Sequence, residues 1–185
     1  MPPTFTARQQ ATFESLNIPY VCLESEELRI YDAILSELRP KLCLEWGAGY
    51  STVYFPTQHP YIERWVSIEH NPAWVGRLAG MVPANVDLRL FEETGDGYIF
   101  DIFDDELEFD FIMIDGVRRS ECMLAASLLL ADGGRCLLHD TARQEYHRWF
   151  RVFDHAEQLT EGLMAEQNPH GNAGRGLHCF WNEAR

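Results

Sequence analysis

Four times along the chain a short apolar run closes on a carboxylate: Leu42-Cys43-Leu44-Glu45, Trp65-Val66-Ser67-Ile68-Glu69, Phe109-Asp110-Phe111-Ile112-Met113-Ile114-Asp115 and Arg135-Cys136-Leu137-Leu138-His139-Asp140. Such near-continuous apolar runs suit strands buried on both faces, as in a parallel sheet. Segments with apolar residues at helical spacing lie between them. The order predicted is βαβαβ twice over and then a closing strand pair, an α/β open sheet covered on both faces. Ligands of such sheets lie at the carboxyl ends of the strands, where the strand order reverses. Glu45, Glu69, Asp115 and Asp140 would then converge on one crevice, whereas a solvated surface would scatter its acids without regard to strand ends.

Element by element, residues 1–24 lack periodicity, are punctuated by Pro2, Pro3 and Pro19, and read as an N-terminal arm that packs on the domain or covers a site. A helix capped by Ser25 carries Leu28, Ile30, Tyr31, Ile34, Leu35 and Leu38 and is stopped by Pro40. Strand one spans 41–45, and Pro56 and Pro60 limit the next helix to about 51–57. Strand two is 65–69, and Pro72 opens a helix to about Met81. Strand three covers 86–91, a partly helical segment 98–103, strand four 109–115 and a helix 120–130 closed by Ala131-Asp132-Gly133-Gly134. After strand five at 135–140, the run Ala142 to Gln158 predicts a long amphipathic helix with Tyr146, Trp149, Phe150 and Phe153 near one face, as core packing. Two last strands are expected at Leu163 to Gln167 and Leu177 to Trp181, joined by the glycine-rich loop Asn168 to Gly176.

The chain carries 29 Asp and Glu against 15 Lys and Arg, a formal charge of -14, which works against nucleic acid and anionic membrane surfaces as partners. Its 185 residues suit a single domain spanning 1–185. The five cysteines are odd in number and scattered, with no zinc-ligand spacing, which reads as buried free thiols in a reducing compartment. With no apolar signal region at Met1 to Gln10 and no run near the ~18 apolar residues of a membrane span, a cytoplasmic protein is expected.

Past Glu45 the chain turns through Gly47-Ala48-Gly49-Tyr50-Ser51-Thr52. A Gly-x-Gly turn between strand and helix lets a ligand approach backbone N–H groups that no Cβ blocks. Glu69, 20 residues after Gly49, has the spacing to hold both hydroxyls of an adenosine ribose. Dinucleotides and S-adenosylmethionine both use that geometry. A dinucleotide site needs a third glycine beneath its pyrophosphate, and none follows Gly49 here. Glu45 would also repel a pyrophosphate, yet it suits the cationic amino group of a methionine moiety. An NAD-dependent oxidoreductase is disfavoured on both counts.

The stretch Leu42 to Asp140 resembles the class I S-adenosylmethionine-dependent methyltransferases through Glu45-x-Gly47-x-Gly49-x-Ser51, Val66-Ser67-Ile68-Glu69 and Phe109 to Gly116. The phrases Ser67 to Trp74 and Ile114 to Arg119 are similar to a subgroup of small bacterial methyltransferase-like proteins. The resemblance implies a Rossmann-like, doubly wound, mostly parallel seven-stranded sheet with an antiparallel last strand, and S-adenosyl-L-methionine as cofactor. It implies Glu45, Gly47 and Gly49, with Ala48 and Ser51 of the same loop, at the methionine and ribose part, Glu69 at the ribose and His70 beside the adenine. Asp96, or Glu92 or Glu93 beside it, would reach the adenine amino group, and Asp115 would also meet the cofactor.

Asp115, His139 and Asp140 are the candidate catalytic residues. His139 could accept a proton near neutral pH, or could be a structural histidine at a strand end. In catechol-type members of the family, acids after strands four and five bind magnesium. Here Thr141 stands where their amide ligand would be; Asp115 and Asp140 could still hold Mg²⁺ with water completing the shell, but no metal is expected. Arg118 and Arg119 could clamp a substrate carboxylate or phosphate, or form a helix-start ion pair with Glu121. The activity implied is methyl transfer to a hydroxyl of a small molecule. A non-catalytic cofactor-binding or scaffold protein of the same fold stands as the alternative, and the final strand pair offers a homodimer contact at the sheet edge.

Overall fold

The structure, a computed structural model, describes residues 4–163 and 174–184. Its strands are β1 (Leu42–Trp46), β2 (Arg64–Glu69), β3 (Val86–Leu90), β4 (Phe109–Ile114), β5 (Leu130–His139), β6 (His155–Leu163) and β7 (Gly174–Trp181). They form one sheet in the order β3-β2-β1-β4-β5-β7-β6. Strands β1 to β5 run parallel, and β7 inserts antiparallel between β5 and β6. The chain leaves β1 toward one edge and returns at β4 to build the other, so the reversal of order falls between β1 and β4.

Alternate residues of each strand face opposite layers. Cys43, Trp65, Phe111, Met113 and Leu137 lie under α1 (Ala7–Ser15), α2 (Ser25–Leu38), α3 (Ser51–Gln58) and α4 (Pro72–Leu78). Leu44, Trp46, Val66, Ile68, Ile112 and Leu138 lie under α5 (Gly97–Phe100), α6 (Arg119–Leu129) and the aromatic segment around Tyr146 and Phe153. Among the described residues no helix is long and apolar enough to cross a membrane.

The arm is more ordered than its lack of periodicity suggests. Thr6 and Gln9 form a capping box that starts α1, with Gln9 N–H donating to Thr6 Oγ1 at 3.3 Å and Thr6 N–H to Gln9 Oε1 at 2.8 Å. Gln9, although polar, is buried, because it bonds Ser25 twice: its Nε2 donates to the Ser25 carbonyl and the Ser25 hydroxyl donates to Oε1. Ser25 therefore does not cap α2. Glu27 does, its Oε2 accepting the Glu24 N–H at 3.0 Å, and Arg39 in a left-handed conformation (φ 49°) closes the helix before Pro40.

Two expectations fail further along. Ala131 to Gly134 do not close a helix but form a bulge early in β5, where the register with β4 slips between Phe109 and Phe111 and Gly133 takes φ 77°. The long helix from Ala142 to Gln158 is absent: residues Gln144–Val152 form a 3-10 helix and β6 starts at His155. Tyr146, Trp149, Phe150 and Phe153 follow the α-helical i, i+3, i+4, i+7 spacing, but the backbone winds more tightly and Phe153 already lies beyond the 3-10 helix. From His155 onward the backbone is taken by β7, pairing His155 with Trp181 through to Leu163 with Gly174. The strand expected at Leu163 to Gln167 thus meets β6 only at its first residue. Residues 164–167, and 168–173 of the expected loop, lie outside the described residues.

Candidate functional site

The crevice between β1 and β4 is floored by two glycines pressed together. Gly47 adopts φ +102°, and a Cβ there would overlap the backbone of Asp115 and Gly116; a Cβ on Gly116 would overlap the Tyr98 hydroxyl and come within 2.9 Å of the Gly47 nitrogen. Gly49 differs, since a Cβ there would meet only the Ser51 hydroxyl, at 3.7 Å. The N–H groups of these glycines are not open to a ligand: that of Gly47 donates to the Ile68 carbonyl at 2.8 Å and that of Gly49 to Thr52 Oγ1 at 3.0 Å.

Above this floor opens a cavity of about 280 Å³, lined by residues 47–51 after β1, Glu69, His70, Asn71 and Trp74 after β2, Met113 to Val117 without Ile114 at the end of β4, and Val21, Cys22 and Leu23 from the arm. Small-molecule sites run from roughly 300 Å³ upward, so this one matches the smaller end of the range. Gly47, Ala48, Gly49, Ser51, Glu69, His70 and Asp115, all named from the sequence as cofactor-binding candidates, line it. Val21, Leu23 and Trp74 were not anticipated. The two arm residues flank Cys22 in a short run of coil and bend after Pro19, which carries no periodic signal. Trp74 packs edge-on against Tyr50, with ring centres 5.5 Å apart. Cys22 is the exposed thiol of the five, the other four being buried.

Glu45 and Asp96 do not line the cavity. Glu45 is fully buried beneath the loop, where Ser51 Oγ donates to Oε1 at 2.6 Å and Thr52 Oγ1, Ser67 Oγ and Trp65 Nε1 donate to Oε2 at 2.7, 2.7 and 2.9 Å. Burial pushes this carboxyl above its ordinary range while the four donors pull it back. Both oxygens accept from protein donors, and Glu45 joins the start of α3 to β2. Asp96 is exposed at the start of α5, as are Glu92 and Glu93. Arg118 holds that segment, its Nη1 donating to the carbonyls of Glu93 and Gly95, and its Nε pairs with Glu121 at 3.1 Å. The helix-start reading of Arg118 is therefore the one realised.

Glu69 is 3% exposed, and its Oε1 accepts the Asn71 N–H at 2.7 Å. His70 Nδ1 lies 3.0 Å from that oxygen without hydrogen-bond alignment. Among the described residues Glu69 Oε2 accepts no hydrogen bond.

The three candidate catalytic residues do come together, but in a different state from that expected. His139 Nδ1 is 2.9 Å from Asp115 Oδ1 and 3.8 Å from Asp140 Oδ1, and Nε2 is 3.2 Å from Glu27 Oε2. Burial works to lower its pKa, but the charge and hydrogen bond of Asp115, and then those of Glu27, outweigh it and raise the value to about 10. With both ring nitrogens facing carboxylate oxygens, the surroundings favour the charged form of His139. Glu27 belongs to α2, 112 residues away in sequence, so no local pattern could have revealed the pair.

Burial pushes the Asp115 carboxyl up, but the charge and hydrogen bond of His139, together with Arg119, hold it below its ordinary range. Asp140, left-handed at φ 61°, is also committed: Oδ2 lies 3.2 Å from Arg119 Nη1 and 2.9 Å from Arg143 Nη2, and Oδ1 accepts the Arg175 N–H at 2.7 Å. Arg119 is 8% exposed and donates to the carbonyls of His139, Gly116 and Asp115, which removes it as a clamp for substrate. The ligating atoms of Asp115, His139 and Asp140 fall within 4.8 Å of one another. They do not fit a divalent ion, because the Arg119 guanidinium already bridges the two carboxylates and both His139 nitrogens face carboxylate oxygens. Among the described residues, Asp115 Oδ2 accepts no hydrogen bond, and Asp115 lines the cavity.

No family model and no curated protein matches the chain. Solved structures do. An O-methyltransferase from Bacillus cereus in complex with S-adenosylhomocysteine superposes with a TM-score of 0.66 at 12% identity, covering 98% of this chain and 93% of that one. An O-methyltransferase from Streptomyces achromogenes involved in tomaymycin synthesis, in complex with S-adenosylmethionine, gives 0.63 at 13%, covering 98% and 92%. A precorrin-6y C5,15-methyltransferase from Geobacter metallireducens gives 0.57 at 20%, covering 84% and 88%. At these identities the likeness is one of fold: the seven-stranded sheet with β7 reversed is the class I methyltransferase fold.

Proposed function

We propose that this protein is an S-adenosylmethionine-dependent methyltransferase acting on a hydroxyl of a small molecule. The observation that carries the reading is one cavity at the β1/β4 reversal that unites the Gly47-Ala48-Gly49 surface, a Glu69 oxygen without a hydrogen-bond partner among the described residues and Asp115. The shared fold with enzymes solved with S-adenosylmethionine or S-adenosylhomocysteine supports it. Glu69 Oε2 is the group for the ribose hydroxyls. His70, Asn71 and Trp74, which follow it, form the adenine side in place of Asp96.

The cofactor supplies an electrophilic methyl group on a sulfonium. Attack must be in line, so holding the acceptor supplies most of the rate. Asp115 does that holding and takes the proton: Oδ1 is pinned by His139 and Arg119, which leaves Oδ2 toward the acceptor. As the acceptor oxygen gains the methyl carbon its hydrogen becomes strongly acidic, so even a carboxylate of low basicity can receive it. His139 and Asp140 are positioning residues that fix Asp115 and Arg119. The arm residues Val21 and Leu23 narrow the cavity to a small acceptor, and the charge of -14 disfavours nucleic acid.

Calorimetric titration with S-adenosylmethionine and S-adenosylhomocysteine tests the reading. Binding of at least one is expected, weakened roughly 10- to 100-fold in Glu69→Gln, the worth of about one hydrogen bond to a charged group. No binding of either ligand at high micromolar concentration would overturn it. The commitment of His139 and Asp140 to ion pairs leaves Asp115 as the single candidate base, which favours, as a second reading, a cofactor-binding scaffold without turnover. Tight cofactor binding with no methylated product across a broad acceptor panel would select that reading.

A further inference from the structure

We propose that the acid pair at the strand ends carries a built-in cation: the Arg119 guanidinium occupies the place between Asp115 and Asp140 that a divalent metal would need, so the centre takes no metal ion. The inference rests on side-chain geometry and stands apart from the methyl-transfer reading. Hard divalent cations want several oxygen ligands at about 2.0–2.6 Å with room for water. Here Arg119 Nη2 lies 3.0 Å from Asp115 Oδ1 and Nη1 3.2 Å from Asp140 Oδ2.

The guanidinium is not a surface group that could swing aside. It is 8% exposed and anchored by Nε to the Gly116 carbonyl at 2.8 Å, by Nη1 to the His139 carbonyl at 2.6 Å and by Nη2 to the Asp115 carbonyl at 2.9 Å. Three of the five donors of the fork thus go to carbonyls, and the two carboxylates stand beside it as ion pairs at 3.0 and 3.2 Å. Arg143 adds a second permanent cation at 2.9 Å from Asp140 Oδ2. Two carboxylates facing two guanidiniums leave no net negative charge to hold a dication. The third possible ligand, His139, has both ring nitrogens facing carboxylates, Asp115 and Glu27.

Manganese as a paramagnetic probe decides the matter without turnover. In an electron paramagnetic resonance titration of chelator-stripped full-length protein, with and without S-adenosylhomocysteine, added Mn²⁺ is expected to stay free up to about 1 mM, the weak end of protein cation sites. One Mn²⁺ bound per chain below that concentration, and lost in Asp140→Asn, would overturn the inference. Arg119→Met, with its fold checked by circular dichroism, is expected to acquire a Mn²⁺ site at least about tenfold tighter than wild type, as two carboxylates lose their resident cation. A folded Arg119→Met that still binds none would show that the guanidinium is not what excludes the ion. Should Arg119→Met not fold, the wild-type and Asp140→Asn titrations decide alone.

Discussion

Replacing each glycine of the Gly47-Ala48-Gly49 loop with alanine should give opposite phenotypes. At Gly47 the backbone stands at φ +102°, where an L side chain is strained by about 1–2 kcal/mol. The new Cβ would also run into the backbone of Asp115 and Gly116, which cannot yield because the Asp115 N–H is bonded to the Trp46 carbonyl at 2.9 Å. Overpacking of this kind costs about 1–3 kcal/mol. A total near 3 kcal/mol in a chain of this size lowers the melting temperature by roughly 6–12 °C. At Gly49 the Cβ makes one ordinary contact, with the Ser51 hydroxyl at 3.7 Å, so the fold should hold to within about 0.5 kcal/mol. The methyl group would instead stand on the lining of the cavity. Gly49→Ala should therefore melt with the wild type while losing roughly tenfold or more in affinity for S-adenosylhomocysteine, about 1.4 kcal/mol. Thermal unfolding and calorimetry on both variants provide the assay. A Gly47→Ala protein that melts with the wild type, or a Gly49→Ala protein as destabilised as Gly47→Ala, would refute the division of labour.

Two further perturbations follow from the same geometry. His139 titrates at about 10 in the fold against an ordinary 6.5, so its stabilisation is whole below about pH 6.5 and is lost as pH rises through 10. Asp115, held below its ordinary 3.8, adds stability above that value that is lost as pH falls through its lowered pKa. Urea midpoints should thus decline from pH 7 to pH 10 in the wild type and flatten in His139→Asn; parallel slopes in the two proteins would contradict the pairing. Thr6→Ala removes the cap of α1 and should cost about 1 kcal/mol, seen as a melting shift of about 2–4 °C.

How much of this was legible depended on the range of the interaction. Strands β1 to β5 and helices α2, α3, α4 and α6 were readable because apolar period, proline and strand-end acids all act within a few residues. Helix α1 was not, because its amphipathic signal is weak and its hold on the domain comes from Gln9 bonding Ser25. The segment after Ala142 misled because β7, not the local sequence, recruits His155 onward into a strand.

The site divides the same way. By itself the sequence determined that acids and glycines gather at one edge of a parallel sheet, since strand direction and a local turn suffice for that. Only the tertiary structure decided what those acids face. Glu45 proved to be the buried clasp under the loop, because its four donors lie on α3 and β2. His139 is held toward its charged form, because folding set it between Asp115 and Glu27. Arg119 became the partner of Asp115 and Asp140, because α6 begins where β4 and β5 end. Charge state and pairing depend on distance and burial, and neither is a property of residues close together in the chain.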